Sequence, residues 1–346
     1  MTKDAMMRRI GYREAVARQP EALETTRAAV SETLRTLDLS TFEGKAIGLA
    51  GIGASYQAAL AGASFLRARG RRAFAFCSTD LYEAVDAADA FVALSASGQS
   101  KEIAEVMQAR SHLPRLAICR GTDNPLAAIT GAVIGTQSGD DNGASSTGYT
   151  SMLLAIGQLA DRLVGEALDA QWADLPGTIA KVLASSGDPA KQAADLLASR
   201  SSIDLVGAGA GFATAGEGAM LIREAVRIPA AGWDTLNYLH GPMESQDGRT
   251  GLIAFGNGRE AQIAVDVAAF GCPSVLITNR TDIAATDRLA VISVPSGGNE
   301  ISDAIVHIVA AQLIVGEMQD AAGLADITFR YRQTDTKLKP WSPTEV

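Results

Sequence analysis

Ile47-Gly-Leu-Ala-Gly-Ile-Gly-Ala-Ser-Tyr56 and Ile203-Asp-Leu-Val-Gly-Ala-Gly-Ala-Gly-Phe212 are two readings of one pattern, offset by 156 residues. Each is a short apolar run that breaks into glycines and small residues. A run of this length reads as a buried strand, and the glycines as the tight turn from strand into helix. At the same offset Tyr82 falls on Tyr238. With small gaps, Phe91-Val-Ala-Leu-Ser-Ala-Ser97 pairs with Leu252-Ile-Ala-Phe-Gly-Asn-Gly258, and Pro114-Arg-Leu-Ala-Ile-Cys119 with Pro273-Ser-Val-Leu-Ile-Thr278. The chain reads as an internal duplication.

Working outward, short apolar runs alternate with helical periodicity: strands over 46–50, 73–77, 91–94, 115–119 and 132–136, helices over 56–67, 100–110, 124–129 and 146–168. Apolar runs without polar alternation imply parallel strands buried on both faces. The fold class expected is α/β: two tandem doubly wound parallel-sheet domains of flavodoxin-like type, preceded by an N-terminal helical segment. The division is an N-terminal helical segment over 1–40, a first domain over 41–170, a helical linker over 171–199, a second domain over 200–325 and a tail over 326–346. Gln19-Pro20 signals a helix start, and Gly187-Asp188-Pro189 a break within the linker. Ligands of such folds bind at the carboxyl ends of the strands.

Composition narrows the partners. Of 346 residues 47% are hydrophobic and 20% charged, enough for a large core. The net charge of −9 with no basic block argues against a nucleic-acid partner. Backbone N–H groups can still bind an anion locally. Cys77, Cys119 and Cys272 show neither CxxC spacing nor a disulfide framework and read as small apolar residues. The N-terminus lacks a signal-peptide core and no run reaches the ~20 apolar residues of a membrane span, so no membrane partner and a cytoplasmic setting are expected. No metal-ligand spacing is present, and neither metal nor cofactor is expected.

Three loops of the first half are candidates for chemistry. Gly51-Ile-Gly-Ala-Ser-Tyr56 lacks both the glycine spacing and the downstream acid of a dinucleotide site. Leu94-Ser-Ala-Ser-Gly-Gln-Ser100 places three hydroxyls and a glycine at a helix start, which suits a phosphate dianion; the plainer alternative is helix capping by Ser97 or Ser100. The second half has Gly256-Asn-Gly258 there, so one half is expected to bind phosphate and the other to be free for another task. Gly139-Asp-Asp-Asn-Gly-Ala-Ser-Ser-Thr147 could cap a helix or bond sugar hydroxyls. In the second half, Glu217 and Glu224 fall on one face of a predicted helix, each either a surface charge or a positioned acid/base. His240 precedes Gly-Pro in a loop, outside a core setting, whereas His112 and His307 read as structural.

These residues resemble the sugar isomerase (SIS) domain family, in the double-domain arrangement of the isomerase half of glucosamine-6-phosphate synthase, over about residues 12–337. Ser95-Ala-Ser-Gly-Gln-Ser100 is similar to that family's S-x-S-G-x-[ST] phosphate loop. The resemblance implies phosphate contacts from Ser55, Ser95, Ser97 and Ser100, and sugar contacts from Gly53, Ala54, Gly143 and Ala144. Ala144-Ser-Ser-Thr-Gly-Tyr-Thr150 is similar to A-S-T-K-x-F-T, with Thr147 in place of lysine. Glu217-Gly-Ala…Arg-Glu224 and Leu239-His-Gly-Pro242 are similar to E-G-A-x-K-x-K-E and L-K-H-G-P, with Leu221 and Arg223 where the family has lysines. By this match Glu224 moves a proton between sugar carbons 1 and 2, His240 assists ring opening from the neighbouring subunit of a homodimer, and Glu217 is structural. Lys337 is the candidate for a tail lysine reaching the active site, Lys339 its rival, and a solvated basic tail the alternative to both. No glutaminase segment is read ahead of the first half, and Thr2 rather than cysteine follows Met1. The expected reaction is therefore isomerase chemistry alone on a phosphorylated sugar or aminosugar: deamination, deglycation or aldose–ketose isomerisation. A non-catalytic sugar-phosphate sensor is the other class.

Overall fold

The computed structural model describes residues 8–83, 86–325, 329–331 and 335–338. Two helices, α1 (Tyr12–Ala17) and α2 (Gln19–Thr36), lead into β1 (Ile47–Gly51), α3 (Ala54–Ala68), β2 (Ala73–Cys77), β3 (Ala90–Leu94), α4 (Lys101–Ala109), β4 (Arg115–Cys119), α5 (Pro125–Thr130), β5 (Val133–Gly135) and α6 (Thr147–Val164). Then come α7 (Leu175–Ser185) and α8 (Gly187–Leu197). The second half follows with β6 (Ile203–Gly207), α9 (Ala210–Leu221), β7 (Ala230–Asp234), α10 (Thr235–Tyr238), β8 (Gly251–Phe255), α11 (Arg259–Ala269), β9 (Ser274–Thr278), β10 (Leu289–Ser293) and α12 (Glu300–Ala321).

The two sheets share one plan. Their strand orders are β2-β1-β3-β4-β5 and, read from the corresponding edge, β7-β6-β8-β9-β10, with every pairing parallel. Central strands β1, β3, β8 and β9 are buried at every residue, which is why they read as unbroken apolar runs. The repeat extends to backbone conformation. Gly53 and Gly209, 156 residues apart, both take a positive φ (60° and 56°) immediately before a helix. The sequence pair Tyr82 and Tyr238 meets different fates: Tyr82 is half exposed and donates to Glu105 (2.6 Å), whereas Tyr238 is buried.

Outside the sheets, Pro20 sits in the first turn of α2, where its missing N–H costs nothing. The linker break falls at Ser186, and Pro189 occupies the first turn of α8. Helix α12 is long and apolar enough to cross a membrane, but 83% of its apolar window is buried. It packs on α8 and α9 and also touches α3 and α6 of the first half, so it is a core helix shared between the halves.

The halves join chiefly where α3 meets α9. A Cβ at Gly216 of α9 would lie 2.1 Å from Gln57 Oε1 of α3, and one at Gly232 of β7 would lie 2.6 Å from the Gly216 backbone. Strand, helix and helix are thus stacked at contact distance through two glycines. Gly232→Ala is expected to lower stability by ~1–3 kcal/mol, because backbone must move to admit the methyl group. Gly177→Ala, in α7 with open space around it, is expected to raise stability by ~0.5–1 kcal/mol. Urea midpoints check both, and an unchanged midpoint for Gly232→Ala would show that α9 can back away from the sheet.

Candidate functional site

The loop after β3 runs along the carboxyl edge of the first sheet, next to the switch point between β1 and β3. Gly98 has φ +64°, and a Cβ there would fall 2.0 Å from Asn124 Oδ1, so the position needs glycine twice over. Asn124 in turn caps α5, accepting from Ala127 N–H (3.0 Å). Gly98 N–H donates to Ser95 Oγ (3.2 Å) and Gln99 N–H to Ser97 Oγ (3.2 Å), while Ser95 and Ser100 hydroxyls are 3.4 Å apart. Ser95 and Ser100 are buried and Ser97 is exposed. Ser100 stands at the N-cap of α4, yet its side chain makes no capping bond. The Ser100 hydroxyl is therefore not spent on capping.

The tail supplies a cation. Lys337 Nζ donates to Ser100 Oγ (3.0 Å), Lys101 N–H to Thr336 O (3.1 Å) and Leu338 N–H to Gln99 O (3.0 Å). A short antiparallel contact thus clips 336–338 onto the serine loop. Lys337 is exposed as a residue, but its ammonium end is part-buried, and desolvation there lowers its pKa against the opposing pull of Glu102. Its rival Lys339 lies outside the described residues.

The other two loops differ in kind. Gly53 is exposed, Ala54 half-buried and Ser55 buried in the first turn of α3. A Cβ at Gly53 would lie 4.0 Å from Met220 Sδ, which brings this loop against α9. In the third loop the alternatives left open above resolve toward capping, by a residue the sequence reading passed over. Buried Asp141 accepts from Asn142 N–H (2.8 Å), Ser146 N–H (3.1 Å), Ser146 Oγ (2.7 Å) and Gly148 N–H (2.9 Å) at the start of α6. A carboxylate there satisfies free N–H groups and the helix dipole together. Ala144 is 2% exposed and its N–H already donates to Asn142 Oδ1 (3.2 Å), so it has little to offer a sugar. Gly143 is more open, and a Cβ there would lie 3.4 Å from the Phe329 ring.

Arg120 is a second cation that sequence reasoning missed. Its N–H bonds Ala96 O (3.0 Å) in the serine loop, and its buried Nε makes no hydrogen bond among the described residues. Desolvation lowers its pKa, with Asp141 and Asp140 opposing. An arginine directly following the apolar run Leu116–Cys119, at a strand's carboxyl end, was the available signal.

In the second half, the single helix expected over Glu217–Glu224 is α9 followed by a π-helical turn, Ile222–Val226, closed by Arg227 N–H to Ile222 O (2.9 Å). The wider turn corrects the expectation of one regular face. Such turns frequently occur at functional sites. Glu224 lines a cleft of about 390 Å³ with Arg223, Arg227, Phe329 and Tyr331. Burial pushes its carboxyl up to about 7, against the lowering influence of Arg223. Phe329 touches both this cleft and the Gly143 position, linking the two halves of the site.

Glu217 is 1% exposed, and neither carboxylate oxygen has a hydrogen-bond partner among the described residues. Burial first, then Glu224 and Asp141, hold it well above the ordinary carboxyl range. His240 lies beyond α10, exposed, with its N–H on Asn237 O (3.1 Å) and no ring hydrogen bond among the described residues. The structure brings Ser95, Ser97, Ser100 and Lys337 together, and no hydrogen bond among the described residues ties His240 to them.

With this geometry in place, the fold has clear parallels. No protein-family model matches the chain. Its fold is that of the sugar isomerase (SIS) domains. Over 91% of this chain and 97% of the other it superposes on the C-terminal domain of glucosamine-fructose-6-phosphate aminotransferase from Francisella tularensis, with a TM-score of 0.79 at 19% identity. Tagatose-6-phosphate ketose/aldose isomerase from Escherichia coli matches over 93% and 97% (TM-score 0.76, 18% identity). Glucosamine-6-phosphate deaminase from Thermotoga maritima matches over 91% and 98% (TM-score 0.68, 16% identity). Among curated sequences, the isomerizing glutamine–fructose-6-phosphate aminotransferases of Mycobacterium bovis and Mycobacterium tuberculosis are 26% identical over 172 residues, 46% of this chain and 27% of theirs. The match thus spans about a quarter of those relatives.

The buried Glu217 gives a pH signature. Its pKa is raised on folding, so its contribution to stability is complete below about 4.5 and is lost as pH rises toward the folded value. Wild-type melting temperature is expected to fall between pH 5 and pH 8 more steeply than that of Glu217→Gln. Thermal scans across that range check it, and parallel slopes would place an ionised carboxylate in the core.

Proposed function

We propose that the chain is a phosphosugar isomerase acting as an aminosugar 6-phosphate deaminase, converting glucosamine 6-phosphate to fructose 6-phosphate and ammonia in the cytoplasm. The observation that carries this reading is the serine loop with Lys337 Nζ on Ser100 Oγ (3.0 Å). Hydroxyls, the N-terminus of α4 and an ammonium converge there, a set suited to a phosphate dianion. Ser55, Ser95, Ser97 and Ser100 hold the phosphate, with Gly53, Ala54 and Gly143 as the proposed sugar contacts, and Lys337 neutralises charge at the loop.

Glu224 is the proposed proton carrier. A carboxyl raised to about 7 can both take and return a proton near neutral pH. In the open-chain aldehyde it removes the proton from carbon 2, and protonation at carbon 1 converts the enolamine to a ketimine. Water adds at carbon 2, the carbon–nitrogen bond breaks, and ammonia leaves. His240, exposed in its own chain, is proposed to assist ring opening in the site of a second subunit. Deglycation of a fructosamine phosphate or plain aldose–ketose isomerisation would use the same groups.

Stoichiometric release of ammonia and fructose 6-phosphate from glucosamine 6-phosphate is the expected result. Glu224→Gln should cut turnover by ~10²–10⁴-fold while binding persists. In the wild type kcat/KM should rise with pH through about 7, as the Glu224 carboxylate forms. Near-normal turnover in Glu224→Gln would remove it from the mechanism. Binding without release would assign the site to another sugar phosphate or to a sensor.

A further inference from the structure

The second half repeats the switch point of the first, between β6 and β8, but lines it with different chemistry. A crevice of about 150 Å³ opens there, bounded by Phe255, Asn257, Glu260, Glu300, Asp303 and His307. His307 is 7% exposed, its ring packs on Phe255 (centroids 6.2 Å apart), and neither ring nitrogen makes a hydrogen bond with any described residue. Its ring nitrogens are not sealed in the core but open onto the crevice, free to meet a ligand there.

Charge decides what that ligand is. Helices α9, α11 and α12 all begin at the crevice, and each N-terminus contributes about half a positive charge. Three carboxylates outweigh roughly +1.5 from those helices, leaving a negative site. Glu260 accepts from Thr235 Oγ1 (2.6 Å), and Asp303 accepts from Gly297 N–H (2.6 Å) and Ser296 Oγ (3.3 Å). Each keeps unused lone pairs. Asn257 Oδ1 is held by Thr278 Oγ1 (2.7 Å) and Asn279 N–H (3.0 Å), leaving its amide N–H groups for an acceptor. Burial drives His307 down to about 4 against the pull of Asp303 and Glu260, so the ring is neutral at pH 7 and does not repel a cation. Among the described residues no grouping of these side chains would hold a metal ion. The volume corresponds to about five waters at ~30 Å³ each.

We propose that the crevice at the ends of β6 and β8 is a second ligand site, which takes a compact hydroxylated primary amine in its protonated form. The ammonium faces Glu260, Glu300 and Asp303, and the hydroxyl lies between His307 and Asn257. The site does not depend on the reaction assigned to the first half.

Thermal shift with ethanolamine at fixed ionic strength tests this. A concentration-dependent rise in Tm is expected with ethanolamine, and none with ethylene glycol, which lacks the charge, or choline, which lacks the N–H donors. His307→Phe and Glu300→Gln should each weaken the response about tenfold, the scale of one charge-assisted bond. Glu300 is exposed, so its variant decides the matter should His307→Phe fail to fold. Ser97→Ala should respond as wild type does. An absent ethanolamine response, an equal response to either control, or an unchanged response in both crevice variants would overturn the proposal. Loss of the response in Ser97→Ala would do so too, by placing the amine in the first half.

Discussion

Everything chemical in this molecule depends on how closely α3 and α9 approach. Each helix leaves the first glycine turn of its own repeat, so packing one against the other brings the two repeats' loops together. Side chains of ordinary size would hold such helices ~8–10 Å apart. Here Gly216 admits Gln57, and Gly232 admits the backbone of Gly216 from the other side. The close contact sets Met220 beside Gly53. Helix α2 reinforces the arrangement through Gln19, which bonds Gln312 of α12 and accepts from Thr150 of α6.

The duplication has produced two switch points of opposite character on one scaffold. In the first half, buried hydroxyls, a helix start and the Lys337 ammonium favour an anion. In the second, the serines are replaced by Gly256 and Gly258, and carboxylates stand where the helix starts would attract a phosphate. Glu260 even lies where a Cβ on Gly256 would be, 2.8 Å away, so the chain's own carboxylate occupies the cradle wall. Parallel topology preserves the crevice in both halves, and a few loop residues set its sign.

The fold was legible because a doubly buried parallel strand leaves an unmistakable apolar run, and because the repeat showed the same runs twice. The serine loop was legible for a similar reason: three hydroxyls and a glycine in six residues are an unusual helix start. What sequence spacing could not show were effects of long-range packing. Glu217 is buried near Tyr12, Asp141 and Tyr149, residues far from it in the chain. Asp141 as the cap of α6 was hidden among other polar loop residues that could have served equally. The π turn at Ile222–Val226 leaves no periodic mark, since one extra residue in a turn is invisible in an apolar helix. Arg120 was readable only by its place at a strand end.

That π turn also accounts for the acidity of Glu224. Beyond it Arg227 takes a left-handed conformation (φ 64°), which ends the helix and turns the chain toward β7. Arg223, next to Glu224, donates through Nη1 to Ala230 O at the start of that strand (2.6 Å). Its charge is thereby held toward the sheet edge. It lowers the Glu224 carboxyl only in part, and burial prevails, leaving the group near 7. Had Arg223 been free to form a close pair, the carboxyl would have fallen toward or below its ordinary range and become a poor proton acceptor. The packing of β7 on α9 therefore reaches the proton carrier through one arginine: the contact that fixes the fold also restrains a neighbouring charge that opposes a raised carboxyl.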